Sequence, residues 1–142
     1  MDDLLIRTGH ERDISEVLRL WQTAGSLPTV SDTHRGLSQL LLSHPGGLLL
    51  AVRGQSIIGS LIAVFDGWRA SFYRLSVHPD HRRQRVASEL LAEGERRVAE
   101  LGAVRLTAIV ADDDPRASGF WRAAGYEAQR QRARFVKLTN SP

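Results

Sequence analysis

Three guanidinium groups beside a helix start are the most chemically pointed feature of this sequence. Arg82, Arg83 and Arg85 stand in the segment Val77–Leu101, which reads VHPDHRRQRVASELLAEGERRVAEL. The apolar run Phe72–Val77 leads into it as a strand. Beyond Arg85, the residues Val86, Leu90, Leu91, Val98 and Leu101 recur at helical spacing and define one apolar face. Arg83, Glu89, Glu93, Arg96, Arg97 and Glu100 lie mostly off that face, and Gly102 stands where such a helix stops. The first N–H groups of a helix have no intrahelical partner, and the macrodipole is positive there. A strand, a tight loop and a helix start therefore form an anion site. Cations at that end are locally unfavourable, and a bound anion relieves the conflict. The pattern points to a phosphate-bearing ligand. On the charges alone, a solvated basic loop that binds nothing is an equal alternative.

Composition bounds what else the chain could do. Its 142 residues suffice for one domain with a single sizeable core, and 42% hydrophobic with 25% charged residues is globular composition. With no cysteine, disulfides, thiolate metal sites and a cysteine nucleophile are excluded. His78 and His81 are three residues apart, but no third ligand accompanies them, so no metal is expected. The start Met1-Asp2-Asp3 lacks the marks of a secretory signal, and no apolar run approaches the roughly 18 residues of a membrane span. A cytoplasmic protein without membrane contact is the expectation. The net charge is +3, and 18 of the 19 basic residues are arginines spread along the chain, so nucleic acid is a weakly supported partner. Phosphate-loop, dinucleotide-fold, nucleophile-elbow and zinc-protease motifs are all missing.

The elements that must position the basic loop can be followed in order. A strand over 4–8 precedes a helix with Ile14, Val17, Leu18 and Trp21 on one face, and Asp13 is its N-cap or first-turn acid. Gly25-Ser26-Leu27-Pro28 breaks that helix, and a second runs from about Thr33 to Ser43. Strands over 48–53 and 56–65 flank the turn Arg53-Gly54-Gln55, and Asp66-Gly67 turns the chain into a strand over 70–77. After the long helix come a strand over 104–110, a helix over 116–124 stopped by Gly125, and a terminal β pair over 126–131 and 134–138. The order βααβββαβαββ implies an α/β fold, a central mixed, twisted sheet with helices on both faces. The terminal strands could support a homodimer.

Val77, Pro79, Arg82 and Ala87 fit the pattern V-x-P-x-x-[RQ]-x-x-G-x-[GA], and the loop resembles the cofactor loop of the GCN5-related N-acetyltransferases (GNATs). A second segment, Asp114 to Tyr126 with Ala117, Phe120, Trp121 and Gly125, fits the family's later motif in spacing. The element order matches the GNAT fold across nearly the whole chain, and Asp66-Gly67-Trp68-Arg69 with Tyr73–Pro79 is similar to small stand-alone bacterial members of the YpeA type. The resemblance implies one GNAT domain over 1–142 that transfers an acetyl group from acetyl-CoA to a primary amine of a small molecule or peptide. It implies that the pantetheine arm of CoA pairs with Leu75, Ser76 and Val77. The pyrophosphate would lie on Arg82, Arg83, Gln84, Arg85, Val86 and Ala87, with Ser88 as a hydroxyl donor. Asp114 and Trp121 fall at cofactor positions, Tyr73 and Asp66 are the catalytic candidates, and Trp21, Leu27, Pro28 and Trp68 are candidates for the acceptor wall.

The departures from the pattern carry their own expectations. Arg85 replaces a glycine. A positive φ there would cost about 1–2 kcal/mol, whereas a helical φ carries no penalty and lets the side chain flank a phosphate; the second is the favoured reading. Trp121 stands where many GNATs have a tyrosine that protonates the leaving thiolate, and an indole N–H cannot do so. A thiolate whose conjugate pKa is about 8.5 can leave without that acid. Tyr73 is read as more often a buried structural tyrosine, and Asp66 as more often a turn residue. The competing function is a catalytically weak acyl-CoA-binding module, motivated by Arg85, Asp114 and Trp121.

Overall fold

A computed structural model describes residues 3–111 and 113–139. The chain divides into two compact units, one ending at Ile109 and the other beginning at Val110. The first unit holds β1 (Leu4–Thr8), α1 (Ile14–Thr23), α2 (His34–Ser43), β2 (Leu48–Arg53), β3 (Ser56–Phe65), β4 (Ala70–Val77), α3 (Val86–Glu100) and β5 (Leu106–Ala108). The strands lie in the order β1-β2-β3-β4-β5. Neighbours from β1 to β4 are antiparallel, and β5 runs parallel to β4. Local chemistry dictates this. Gly54 and Gly67 supply the positive φ that tight hairpin turns need, whereas α3 returns the chain to the same end of the sheet before β5 starts.

Strand alternation sorts the core into two layers. On one face Leu48, Leu50, Val52, Ile57 and Ile62 pack with Ile14, Val17, Leu20 and Trp21 of α1 and Leu37 of α2. Thr33 caps α2, its hydroxyl accepting from Gly36 N at 3.0 Å. On the other face α3 lies close enough to need glycine on both sides of the contact. A Cβ on Gly59 would meet Val86 and Leu90 at 3.0 Å, and one on Gly94 would meet Leu61 at 2.8 Å and Phe72 at 3.3 Å. Each fully buried aliphatic or aromatic side chain in these layers contributes about 1.5–3 kcal/mol. Helices thus cover both faces, as the element order in the sequence implies.

Asp13 stands at the N-terminus of α1, but its carboxylate is turned to Arg7 at 2.9 and 3.0 Å and to His10 N at 2.8 Å rather than to the first turn of α1. Several boundaries differ from the sequence reading. The buried face of α3 is Val86, Leu90, Leu91, Gly94 and Val98, while Leu101 is 66% exposed at the helix end. The strand expected over 104–110 is paired only over Leu106–Ala108.

The second unit contains α4 (Pro115–Ala123), and the terminal β pair is not found among its described residues. Phe135, Val136 and Leu138 are 94, 70 and 60% exposed. β propensity alone does not hold a hairpin that buries no apolar face.

Candidate active site

The site begins as a gap in the sheet. β5 pairs with Ala70, Ser71 and Phe72 of β4 and with no residue beyond them. From Tyr73 to Val77, that edge of β4 therefore has no β5 partner. An unpaired edge presents backbone donors and acceptors to an extended ligand. On its other edge β4 carries a bulge. Ser60 lies opposite Ser76 and Ile62 opposite Tyr73, so Arg74 and Leu75 together face Leu61. Arg74 takes φ +54. Ser60, wholly buried, locks the bulge: its hydroxyl donates to Arg74 O at 2.9 Å and accepts from Trp21 Nε1 at 2.8 Å.

Beyond Val77 the chain forms a cradle. His78 N donates to Ile58 O at 2.8 Å, holding the strand end, and a single 3₁₀ turn spans Pro79–His81. Arg83 and Arg85 then both take left-handed conformations, with φ +62 and +66. Arg85 is therefore not helical, contrary to the reading favoured from sequence. It is the left-handed N-cap of α3, and the motif glycine at this position is explained by that φ. A left-handed residue followed by a right-handed one turns successive N–H groups toward a common concavity, the geometry of an anion nest. The first bond of α3 is donated by Glu89 to Arg85 O at 3.0 Å, so the amides of Val86, Ala87 and Ser88 precede the helix ladder. Arg83 and Arg85 are exposed, without an ion-pair partner among the described residues, while Arg82 Nη2 donates to Ala24 O at 3.2 Å. Arg53 braces the loop from β2 through His81 Nδ1 at 3.0 Å and the side-chain oxygen of Gln84.

A third component borders the gap. The segment joining α1 to α2 is tied to β4 by Arg74, whose guanidinium pairs with Asp32 and donates to Leu27 O at 3.0 Å. The hydroxyls of Ser26 and Ser76 lie 3.3 Å apart. Leu27, 83% exposed, and Pro28 lie on this segment's surface, whereas Trp21 is a core residue at 4% exposure. Tyr73 is 38% exposed at the open stretch of β4 rather than buried. Leu75 and Val77 are half-buried there, and Ser76 is buried.

Asp66 and Trp68 lie elsewhere, in the β3–β4 turn at the opposite end of β4 from the loop. The Asp66 carboxylate accepts Arg69 N and Trp68 N, both at 2.8 Å, and these bonds hold it below the usual carboxylate range. Trp68 stacks under Arg69 at 4.1 Å. Asp114 and Trp121 belong to the second unit. Asp114 caps α4 through Arg116 N and Ala117 N, both at 3.1 Å, and Trp121 meets Phe120 and Tyr126 edge to face.

Sequence reasoning missed Arg74, Ser60 and Ser26, and it saw Asp32 only as the lone acid of the 26–43 stretch, not as the partner of Arg74. A charged residue inside the apolar run Phe72–Val77 was the available signal. Among the described residues, no cluster of three or more histidines and carboxylates forms a metal site.

The sequence matches the acetyltransferase (GNAT) family over residues 14–126. An acetyltransferase of Yersinia pestis (strain Pestoides F) is 31% identical over 124 residues, which span 87% of this chain and 88% of that protein. This chain belongs to the GNAT family. It is an N-acetyltransferase whose acetyl donor is acetyl-CoA. Solved structures agree on the fold. Ard1 from Thermoplasma volcanium superposes with a TM-score of 0.81 at 20% identity, over 89% of this chain and 84% of that one. The PaiA N-acetyltransferase of Thermoplasma acidophilum, solved in complex with coenzyme A, does so with a TM-score of 0.76 at 14% identity, over 89% of this chain and 91% of that one. For this GNAT chain, the gap in the sheet and the cradle at the start of α3 acquire a candidate ligand.

Proposed function

We propose that acetyl-CoA lies along one continuous line, from the open edge of β4 at Tyr73–Val77 to the cradle at Arg82–Ser88, and that an amine acceptor approaches past the 24–32 segment. The observation that carries this reading is that the unpaired edge of β4 runs directly into the amides and guanidinium groups before α3. Pantetheine amides complement strand backbone, and pyrophosphate complements free N–H groups and guanidinium charge. Leu75, Ser76 and Val77 serve the first task. Arg82, Arg83, Gln84, Arg85, Val86, Ala87 and Ser88 serve the second. Ala87 is a small residue where the backbone must be approached closely. The family match extends from residue 14 to 126, across both compact units, and supports reading the chain as a single domain.

The reaction needs few groups. A neutral amine attacks the thioester carbonyl carbon, the C–N bond forms, the C–S bond breaks, and CoA leaves as a thiolate. After attack the nitrogen gives up one proton, to solvent or to a positioned base, and the thiolate takes up one. Tyr73 is our candidate for protonating the departing sulfur, because its side chain is exposed on the open stretch of β4 beside the bulge and a phenol O–H is a proton donor. Asp66, held by its turn, receives no role in this scheme. The acceptor is a small-molecule or peptide amine, and the cytoplasm, where acetyl-CoA is made and used, is the proposed location.

Release of free CoA thiol on mixing acetyl-CoA with a panel of primary amines tests the proposal. Thiol release should depend on the amine. Tyr73→Phe should lower kcat by about a hundredfold without changing acetyl-CoA affinity. The strained Arg85 at the cradle favours a second reading, a weakly catalytic CoA-binding module. Acetyl-CoA binding with no thiol release across the panel would support that reading instead.

A further inference from the structure

We propose that Arg74 is a positioning residue that sets acceptor selectivity, because its guanidinium both seats the 24–32 segment beside the open stretch of β4 and cancels the acidic charge that segment carries. The proposal rests on the acetyl-transfer reading above. Arg74 Nε donates to Asp32 Oδ1 at 3.2 Å, and its Nη2 pairs with Asp32 Oδ2 and donates to Leu27 O at 3.0 Å. The guanidinium also lies 5.3 Å from the centre of the Trp21 ring. Both partners are largely withdrawn from water, with side chains 21 and 12% exposed.

Residues 24–33 read AGSLPTVSDT, so Asp32 is the lone charged residue there. Its carboxylate is further occupied by Thr29 N at 2.7 Å. What the segment offers outward is uncharged and apolar: Leu27 is 83% exposed and Val30 68%. Such a wall holds no anion for a polycationic acceptor and suits an amine flanked by uncharged, apolar groups. Removing Arg74 would leave a carboxylate free at the wall. Removing the charge of Asp32 would leave a guanidinium free. The two changes should therefore move selectivity in opposite directions, which loss of a merely structural tie would not do.

The test compares kcat/KM for spermidine with that for phenethylamine, with acetyl-CoA affinity measured alongside. Wild type should prefer phenethylamine. In Arg74→Leu the spermidine-to-phenethylamine ratio should rise by about tenfold, the scale of one uncovered charge in a partly desolvated site. In Asp32→Asn it should fall below the wild-type value, and Arg74→Lys should restore most of the wild-type preference. Unchanged ratios in Arg74→Leu and Asp32→Asn, with acetyl-CoA affinity intact, would overturn the proposal. If Arg74→Leu does not fold, the near-isosteric Asp32→Asn decides alone, and an unchanged ratio there overturns it. Failure of wild type to bind acetyl-CoA would contradict the acetyl-transfer reading itself, a different result from an unmoved ratio.

Discussion

Three arginines with positive φ lie at the candidate site. Arg74 forms the bulge of β4, and Arg83 and Arg85 shape the cradle before α3. A left-handed conformation costs a non-glycine residue about 1–2 kcal/mol, and such strain persists where the surroundings over-determine it. Arg85→Gly should therefore raise unfolding stability by about 1 kcal/mol, read from urea midpoints, while weakening acetyl-CoA binding through the lost charge. An unchanged midpoint would show that Arg85 is not strained. At this scale the sequence was partly legible. The motif glycine signalled a special backbone position at Arg85, but one chain does not reveal which φ a substituted residue adopts. Arg74 could not be read as a bulge residue, because the bulge is held by Ser60 of β3 and, through it, by Trp21 of α1.

Elements were the most legible level. The strands of β1 to β4 and the helices α1 to α3 follow from alternation, helical periodicity and turn glycines, and their limits agree closely with the sequence reading. The failures have a common cause. A pattern gives an element's preference but not whether a surface exists to bury it. The 126–138 stretch has strand-forming residues without a described sheet partner, and Leu101 continues an apolar face past the sheet that α3 covers. Gly94 shows the reverse: nothing in its helical context asks for glycine, yet Leu61 and Phe72 leave no room for a Cβ. Gly94→Val should destabilise the fold by about 1–3 kcal/mol, measured by chemical denaturation. A variant as stable as wild type would show that α3 does not pack this closely on β3 and β4.

For the whole molecule, electrostatics links the fold to pH. Arg7 holds the Asp13 carboxyl below its usual range against the opposing effect of burial, helped by His10 N–H. Arg96 and Arg97 hold Glu93 at about 2. A carboxyl with a depressed folded-state pKa binds fewer protons in the native state than in the unfolded one. Its contribution is complete above the unfolded value, about 4 for both residue types, and disappears as pH falls through the folded value. These two contributions should be constant from pH 7 to 5 and decline toward pH 2. Glu93→Gln should make that decline only slightly shallower, since the pairs lie near the surface, and Asp13→Asn should have the larger effect. Identical pH profiles for wild type and Asp13→Asn would contradict this account.

The donor path along β4 and into α3 is the claim on which the functional account depends. Calorimetric titration of acetyl-CoA into wild type and Ala87→Trp tests it most directly. The account expects 1:1 binding to wild type and its loss, or a severe weakening, when an indole fills the cradle at Ala87 while the variant stays folded. Equal affinity in the two proteins would contradict placement of the pyrophosphate at this helix start, and no binding to folded wild type would contradict the donor site altogether.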